Sequence, residues 1–230
     1  MPGYADGLTA QAQVLKLAGR AADRIVDGGA CVGDLTAAYL AAFPAARLWA
    51  FEPTPATAAE LATRYRGEPR VTVVPAALAA AVGSATLSLN DAAVTNSLLP
   101  LDPQQAPYLD YPVSTEGTVI VPMIDLDTFC SREGIDHLSI LKLDVQGAEQ
   151  AVLSGATRLL SESRIDLVFT EFNIVSVYRG QTTSWTLLEQ LAKYGYQLFD
   201  LYHHRWAPTG QLKWGDGLFL SSEIRQRAGI

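Results

Sequence analysis

Cysteine is scarce in this sequence of 230 residues: Cys31 and Cys130 are all it has. Two well-separated thiols form neither a disulfide framework nor a CxxC metal site. Basic charge is also short. Lys and Arg number 17 against 24 Asp and Glu, for a net charge of −7, and no Lys/Arg run exceeds two residues. Nucleic acid is therefore not expected as a partner, because binding it depends on clustered basic side chains that displace counterions. No apolar run approaches the ~20 residues of a membrane span. The first ten residues carry Pro, Gly, Asp and Thr instead of a basic stretch leading into an apolar one. No export signal is expected from them, and the reading is a cytoplasmic chain with no membrane partner. Charged residues make up 18% and hydrophobic residues 49%, which excludes a disordered polar chain. With ~150 residues as the usual domain size, and no linker or repeat, one domain over 1–230 is expected.

What is present is an alternation of short apolar runs with helical patterns. Thr9 is placed to cap a helix carrying Val14, Leu15, Leu17 and Ala18 on one face, weakened by Gly19, within an N-terminal helical segment 1–24. Strands are expected at 24–27, 47–51 and 71–74, with helices at 36–43 and from Pro55 to about Arg66. Strands separated by such helices pair in parallel with right-handed crossovers. Ala85–Leu89 and Val119–Val121 alternate at period two, around a long polar stretch from Asn90 to Gly117. Loops of that length are uncommon unless functional, so residues 83–122 read as a small β insertion forming a lid or substrate wall. Strand, helix, strand and helix follow at 138–144, 147–160, 165–170 and 183–194, then an antiparallel pair at 196–202 and 217–221. The fold class is α/β: a doubly wound, mostly parallel seven-stranded sheet, Rossmann-like, with the insertion between its third and fourth parallel strands.

In such sheets ligands bind beyond the carboxyl ends of the strands. The first strand runs into Asp27-Gly28-Gly29-Ala30-Cys31-Val32-Gly33. Gly28 and Gly33 fit the dinucleotide pattern GxGxxG, but Ala30 takes its second glycine position. Asp27 would repel a pyrophosphate and suits a ligand with an ammonium group. Glu52, ending the second strand, is placed to accept hydrogen bonds from both hydroxyls of a ribose. A ligand with ribose and ammonium but no phosphate is S-adenosylmethionine. A tightly packed turn and a solvated strand end would account for the same residues taken singly. The third block, Leu141-Lys142-Leu143-Asp144-Val145-Gln146-Gly147-Ala148-Glu149, again puts polar groups where a strand ends and a helix begins, with Glu149 favoured by the helix dipole.

The blocks VDGGACVG (26–33), FEP (51–53), PAAL (75–78), TNSLL (95–99), ILKLDVQGAEQAVLSGA (140–156) and FTEF (169–172) together resemble FkbM-type methyltransferases, class I enzymes dependent on S-adenosylmethionine. The resemblance runs from about Ile25 to Phe219, and the block around Asp144 is its most specific part. It implies O-methylation of a small molecule such as a sugar or secondary metabolite. It also implies cofactor contacts from Asp27, Gly28, Gly29, Ala30, Cys31, Gly33, Glu52, Ala76, Ala77, Asn96, Ser97 and Asp144. The family pattern usually has Asn where Cys31 and Pro75 stand, and often Glu in place of Gln146.

Methyl transfer to a hydroxyl requires alignment of the acceptor and removal of its proton. Asp144 and Glu171, at the ends of the fourth and fifth parallel strands, are the candidate bases. His203 is a weaker third, since imidazole titrates near neutrality. Asp144, Glu171 and Asn173 also offer an oxygen set for Mg²⁺, a second reading that is not favoured. His137 lies at the wrong end of its strand. Tyr108, Tyr111, Tyr178, Trp185 and Trp206 are better read as core than as site walls. Alternatives are N- or carboxyl-methylation, an NAD-dependent oxidoreductase, or a non-catalytic cofactor-binding subunit. A homodimer stays open.

Overall fold

The structure, a computed structural model, describes residues 5–109 and 112–230. Met1–Tyr4, within the expected N-terminal segment, and Tyr111 lie outside the described residues. The chain opens with α1 (Ala5–Leu17), β1 (Arg24–Gly28), α2 (Asp34–Ala42), β2 (Arg47–Phe51), α3 (Pro55–Arg64) and β3 (Val71–Val74). Next come β4 (Ala77–Leu78), β5 (Gly83–Asn90), β6 (Thr115–Ile124) and α4 (Leu126–Glu133). The second half holds β7 (Leu138–Leu143), α5 (Glu149–Ser154), α6 (Thr157–Ser161), β8 (Ile165–Asn173), α7 (Ser184–Lys193), β9 (Gln197–Trp206), β10 (Leu212–Leu220) and α8 (Ser222–Ala228).

Seven strands form one sheet in the order β3-β2-β1-β7-β8-β10-β9. β10 runs antiparallel to both neighbours and the other pairings are parallel. The central strand β7 is buried at all six positions, as expected of a parallel strand covered on both faces. Alternation divides the core. Val26, Leu141 and Val168 face the layer of α4, α5, α6 and α7, while Ile25, Ile140 and Leu167 face α1, α2 and α8. The insertion joins β4, which precedes it in the chain, in a separate sheet of order β4-β6-β5, with β5 and β6 paired from Gly83↔Met123 to Asn90↔Thr115.

Several local expectations are corrected. Thr9 lies inside α1, which begins a turn earlier, and Leu17 is 56% exposed while Val14, Leu15 and Ala18 are buried. Gly19 lies beyond the helix end with φ 63. The helix expected over 147–160 is two short helices. A side chain at Gly155, between them, would bring its Cβ within 2.2 Å of the Ala79 carbonyl oxygen. The break thus lets the chain press against the loop after β4. Trp185 and Trp206 are exposed, 67% and 58%, and so are not core. Among the described residues no helix is long and apolar enough to cross a membrane.

Candidate active site

A cavity of about 390 Å³ opens over the carboxyl ends of β1, β2, β7 and β8, inside the ~300–1,000 Å³ range of small-ligand pockets. One side is built by the β1–α2 turn. Gly29, Ala30 and Cys31 line the cavity, whereas Asp27, Gly28 and Gly33 do not. The expectation that Asp27 meets a ligand ammonium is corrected by its surroundings. Asp27 is fully buried, directly opposite Lys142 in the β1–β7 register. Its Oδ1 lies 3.0 Å from the Lys142 ammonium, and its Oδ2 accepts from the Thr36 hydroxyl at 2.7 Å. Lys142 also donates to the carbonyls of Gly28 and Gly29 at 3.2 and 3.1 Å. Asp27 and Lys142 thus hold the turn's backbone from beneath. The glycines serve packing as well. A Cβ at Gly29, whose φ is 73, would sit 1.9 Å from the Asp144 carbonyl oxygen. One at Gly33, φ 85, would meet Tyr65 and Leu61 at 2.5 and 2.6 Å. Cys31 has φ 50, a left-handed conformation that Asn tolerates better than most residues. That accounts for the Asn usual at this position in the family pattern.

Glu52 does line the cavity. Its Oε2 accepts from the Cys31 amide at 3.0 Å and its Oε1 from the Thr54 amide at 2.8 Å. These donors oppose the effect of burial, which pushes its pKa up. Each oxygen keeps lone-pair capacity for a further donor. Ala76, Ala77 and Leu78 supply an apolar wall beside it.

The other side is acidic. Asp144, half-buried, is pushed up in pKa by burial, with Lys142 opposing and Asp216 adding to it. Gln146 donates to Asp144 Oδ1 at 2.6 Å. Glu149 accepts from the amides of Val145 and Gly147 at 3.0 and 3.2 Å, so it closes the turn after β7 instead of merely facing a helix dipole. Burial pushes Glu149 up to about 7. Glu171 lines the cavity too, and burial together with Asp144 and Glu149 raises it well above the carboxylate range.

Asn173, itself buried, also lines the cavity, and its side chain opposes the rise at Glu171. Its carbonyl accepts from the Ser184 hydroxyl. Among the described residues no group of three His, Cys, Asp or Glu side chains is arranged to hold a metal ion. His203 is not among the cavity residues. A bulge in β9, where Tyr202 pairs with Asp216 but Arg205 with Trp214, gives it φ 52 and turns its Nδ1 to within 2.6 Å of Asp216. Its ring lies edge-on to Phe169. His137 pairs with Asp166 at 3.0 Å, away from the cavity.

The insertion supplies the remaining wall through residues 93–98. Asn96 accepts from the Asn90 amide at 2.7 Å and donates to the Thr54 hydroxyl at 3.2 Å. Ser97 is buried, and its hydroxyl donates to the Gln146 carbonyl at 2.6 Å and accepts from the Leu99 amide at 2.9 Å. Ser97 therefore fastens the insertion to the turn after β7. Lys142, Thr54, Tyr178 and Trp214 line the cavity without having been read from the sequence as site residues. For Lys142 a signal existed: a lysine inside an apolar strand needs a buried partner.

Comparison with known proteins follows this geometry. The profile of the "Methyltransferase FkbM domain" matches residues 27–198. The 2-O-methyltransferase NoeI of Sinorhizobium fredii (strain NBRC 101917 / NGR234) is 30% identical over 82 residues, 36% of this chain. The match spans about a third of that relative's own length (33%). The SAM-bound crystal structure of magnesium protoporphyrin IX methyltransferase (ChlM) from Synechocystis PCC 6803 shares the fold. It does so at a TM-score of 0.51 and 12% identity, over 94% of this chain and 79% of that one.

Proposed function

We propose that this chain, a member of the FkbM methyltransferase family, is an S-adenosylmethionine-dependent enzyme that methylates a hydroxyl of a neutral small molecule, such as a sugar or secondary metabolite. The observation that carries this is the pairing of Asp144 with Glu171 in one cavity. Both carboxyls are raised by burial, and a base with a raised pKa is suited to take an alcohol's proton near neutrality. The relative matched over part of its length is by name a 2-O-methyltransferase.

The residues present fit the cofactor. Glu52 would hold the ribose hydroxyls, Ala76 and Ala77 would pack against the adenine, and the turn Gly29–Cys31 would face the amino-acid end. Asn96 would act through Thr54, beside Glu52. When bound, S-adenosylmethionine supplies a methyl group already activated on a sulfonium. Asp144 and Glu171 orient the acceptor and receive its proton. Residues 83–122 serve as the acceptor wall of a single catalytic unit. The acceptor is neutral because Lys142, the one cationic side chain among the cavity residues, has its ammonium turned to Asp27 and the turn carbonyls. An amine acceptor is the second reading, favoured by the same carboxylates. A Mg²⁺ site is the weaker reading, because among the described residues no group of three His, Cys, Asp or Glu side chains is arranged to hold a metal ion.

Calorimetric titration with S-adenosylhomocysteine, with and without Mg²⁺ and with NAD as control, tests the cofactor side. Micromolar affinity independent of Mg²⁺ is expected, and NAD should not bind. Incubation with S-adenosylmethionine and a panel of polyols and amines, read by mass spectrometry, tests the acceptor. Methylated amines with unmodified polyols would replace the hydroxyl reading with the amine one.

A further inference from the structure

Asp144 follows the last residue of β7 and its amide still donates to the Gly28 carbonyl of β1 at 3.1 Å, but those backbone bonds leave the direction of its carboxylate to side-chain contacts. The structure offers a chain of contacts for this. Gln146 donates from its amide to Asp144 Oδ1 at 2.6 Å, and its Oε1 accepts from the Tyr178 hydroxyl at 2.7 Å. The same hydroxyl lies 3.0 Å from the Thr95 carbonyl oxygen in the insertion. One hydroxyl proton facing two acceptors places Tyr178 between the turn and the insertion. Gln146 is held in turn by its backbone. It has φ 54 and the next residue, Gly147, has φ 94, an unusual pair of left-handed conformations. Ser97 closes on the Gln146 carbonyl from the insertion side.

The segment 95–102 is fastened at several further points. Leu101 bridges to Tyr178, the Asp102 amide donates to the Val177 carbonyl, and the Arg179 amide donates to the Pro100 carbonyl. We propose that Gln146 and Tyr178 are positioning residues, a relay that fixes the direction of the Asp144 carboxylate and couples it to the strap of residues 95–102. The base and the acceptor wall are thereby set as one unit. The inference rests on the reading above in one respect, that Asp144 faces the methyl group to be transferred.

Two variants test it without an acceptor. Tyr178→Phe removes only the hydroxyl. Gln146→Leu removes the donor to Asp144 and keeps most of the volume. Sinefungin carries an amino group in place of the methylated sulfonium, and S-adenosylhomocysteine carries no charge there. The ratio of their affinities therefore reads how Asp144 is aimed. The wild type should prefer sinefungin. Gln146→Leu should lose that preference by about tenfold, the lower end for a hydrogen bond to a charged group. Tyr178→Phe should lose part of it, and S-adenosylhomocysteine affinity should hold within about twofold in both. Hydrogen exchange of ligand-free Tyr178→Phe should quicken together in peptides covering 93–102 and 144–149, and stay unchanged over 29–33. An equal loss for both ligands would make the pair structural supports and overturn the relay. So would unchanged exchange in 93–102. A wild type that binds sinefungin no better than S-adenosylhomocysteine would overturn the placement of Asp144, and hydrogen exchange would still decide the relay. If Gln146→Leu fails to fold, Tyr178→Phe decides alone.

Discussion

The two sides of the cavity treat buried acid in opposite ways. On the β1–β2 side each carboxylate is matched: Asp27 by the Lys142 ammonium and the Thr36 hydroxyl, Glu52 by two backbone amides. On the β7–β8 side Asp144, Glu149 and Glu171 crowd one another: burial raises each of them and neighbouring carboxylates add to the rise, whereas burial alone raises Glu52 and its donors oppose it. A matched carboxylate is a rigid acceptor, suited to holding a ligand. A crowded, half-matched one is ready to exchange a proton. On the proposed reading, binding and proton chemistry are separated by strand: β1 and β2 hold, and β7 and β8 react. Lys142 belongs to both sides, since it neutralises Asp27 and is the main charge opposing the rise at Asp144.

Removing Lys142 is therefore the hardest blow to that separation. Lys142→Met should destabilise the fold by about 3–5 kcal/mol, the cost of leaving one partner of a buried ion pair alone. Urea unfolding would measure it. The double variant Asp27→Asn/Lys142→Met should recover most of the loss, and no recovery would mean that Lys142 acts through the turn carbonyls instead of through Asp27. The next effect belongs to the crowded side. Glu149 titrates at about 7 in the folded protein instead of near 4.5. Between those values the native state keeps a proton that the unfolded chain has lost. Stability should fall as pH rises through that window, by about 3 kcal/mol. Glu149→Gln keeps an oxygen to accept from Val145 and Gly147 and should flatten the dependence. Urea midpoints at pH 5 and pH 8 would show it, and an equal slope in the variant would move the effect to Asp144 or Glu171.

The same contrast explains what could be read from the sequence. The parallel strands of the large sheet were legible because they are short apolar runs and the order of helices fixes parallel pairing, whereas the last antiparallel pair, expected at 196–202 and 217–221, extends through polar residues over Gln197–Trp206 and Leu212–Leu220. Glu52 and Asp144 were legible because strand ends in such sheets face the ligand. What Asp27 does was not, because its partner lies more than a hundred residues away and only the β1–β7 register brings Lys142 opposite it. Tyr178 was hidden for the same reason: a buried tyrosine reads as core until its hydroxyl is found between Gln146 and Thr95. His203 misled because a β-bulge, which no periodicity announces, turns it toward Asp216 and away from the cavity. Helix α4 was missed because it is only eight residues long, although Asp125 caps it by accepting from the Thr128 amide at 2.8 Å.

Two smaller effects sharpen the matched side. Glu52→Ala should weaken S-adenosylhomocysteine binding by roughly 1.5–3 kcal/mol, the range for hydrogen bonds to a charged group. Unchanged affinity in a folded variant would remove Glu52 from the ribose. Cys31 offers the finest test, because it separates the turn's shape from its chemistry. Burial raises the pKa of its thiol. What the position contributes is its amide, donated to Glu52, in a left-handed conformation with φ 50. Asn adopts that conformation more readily than Cys, so Cys31→Asn should raise stability by about 0.5–1 kcal/mol, part of the ~1–2 kcal/mol a left-handed residue costs. Cofactor affinity should stay level or improve slightly, because the Cys31 amide is held in the same place. A clear loss of affinity without loss of stability would show that the thiol itself touches the ligand, and the matched side would then do more than hold Glu52 in position.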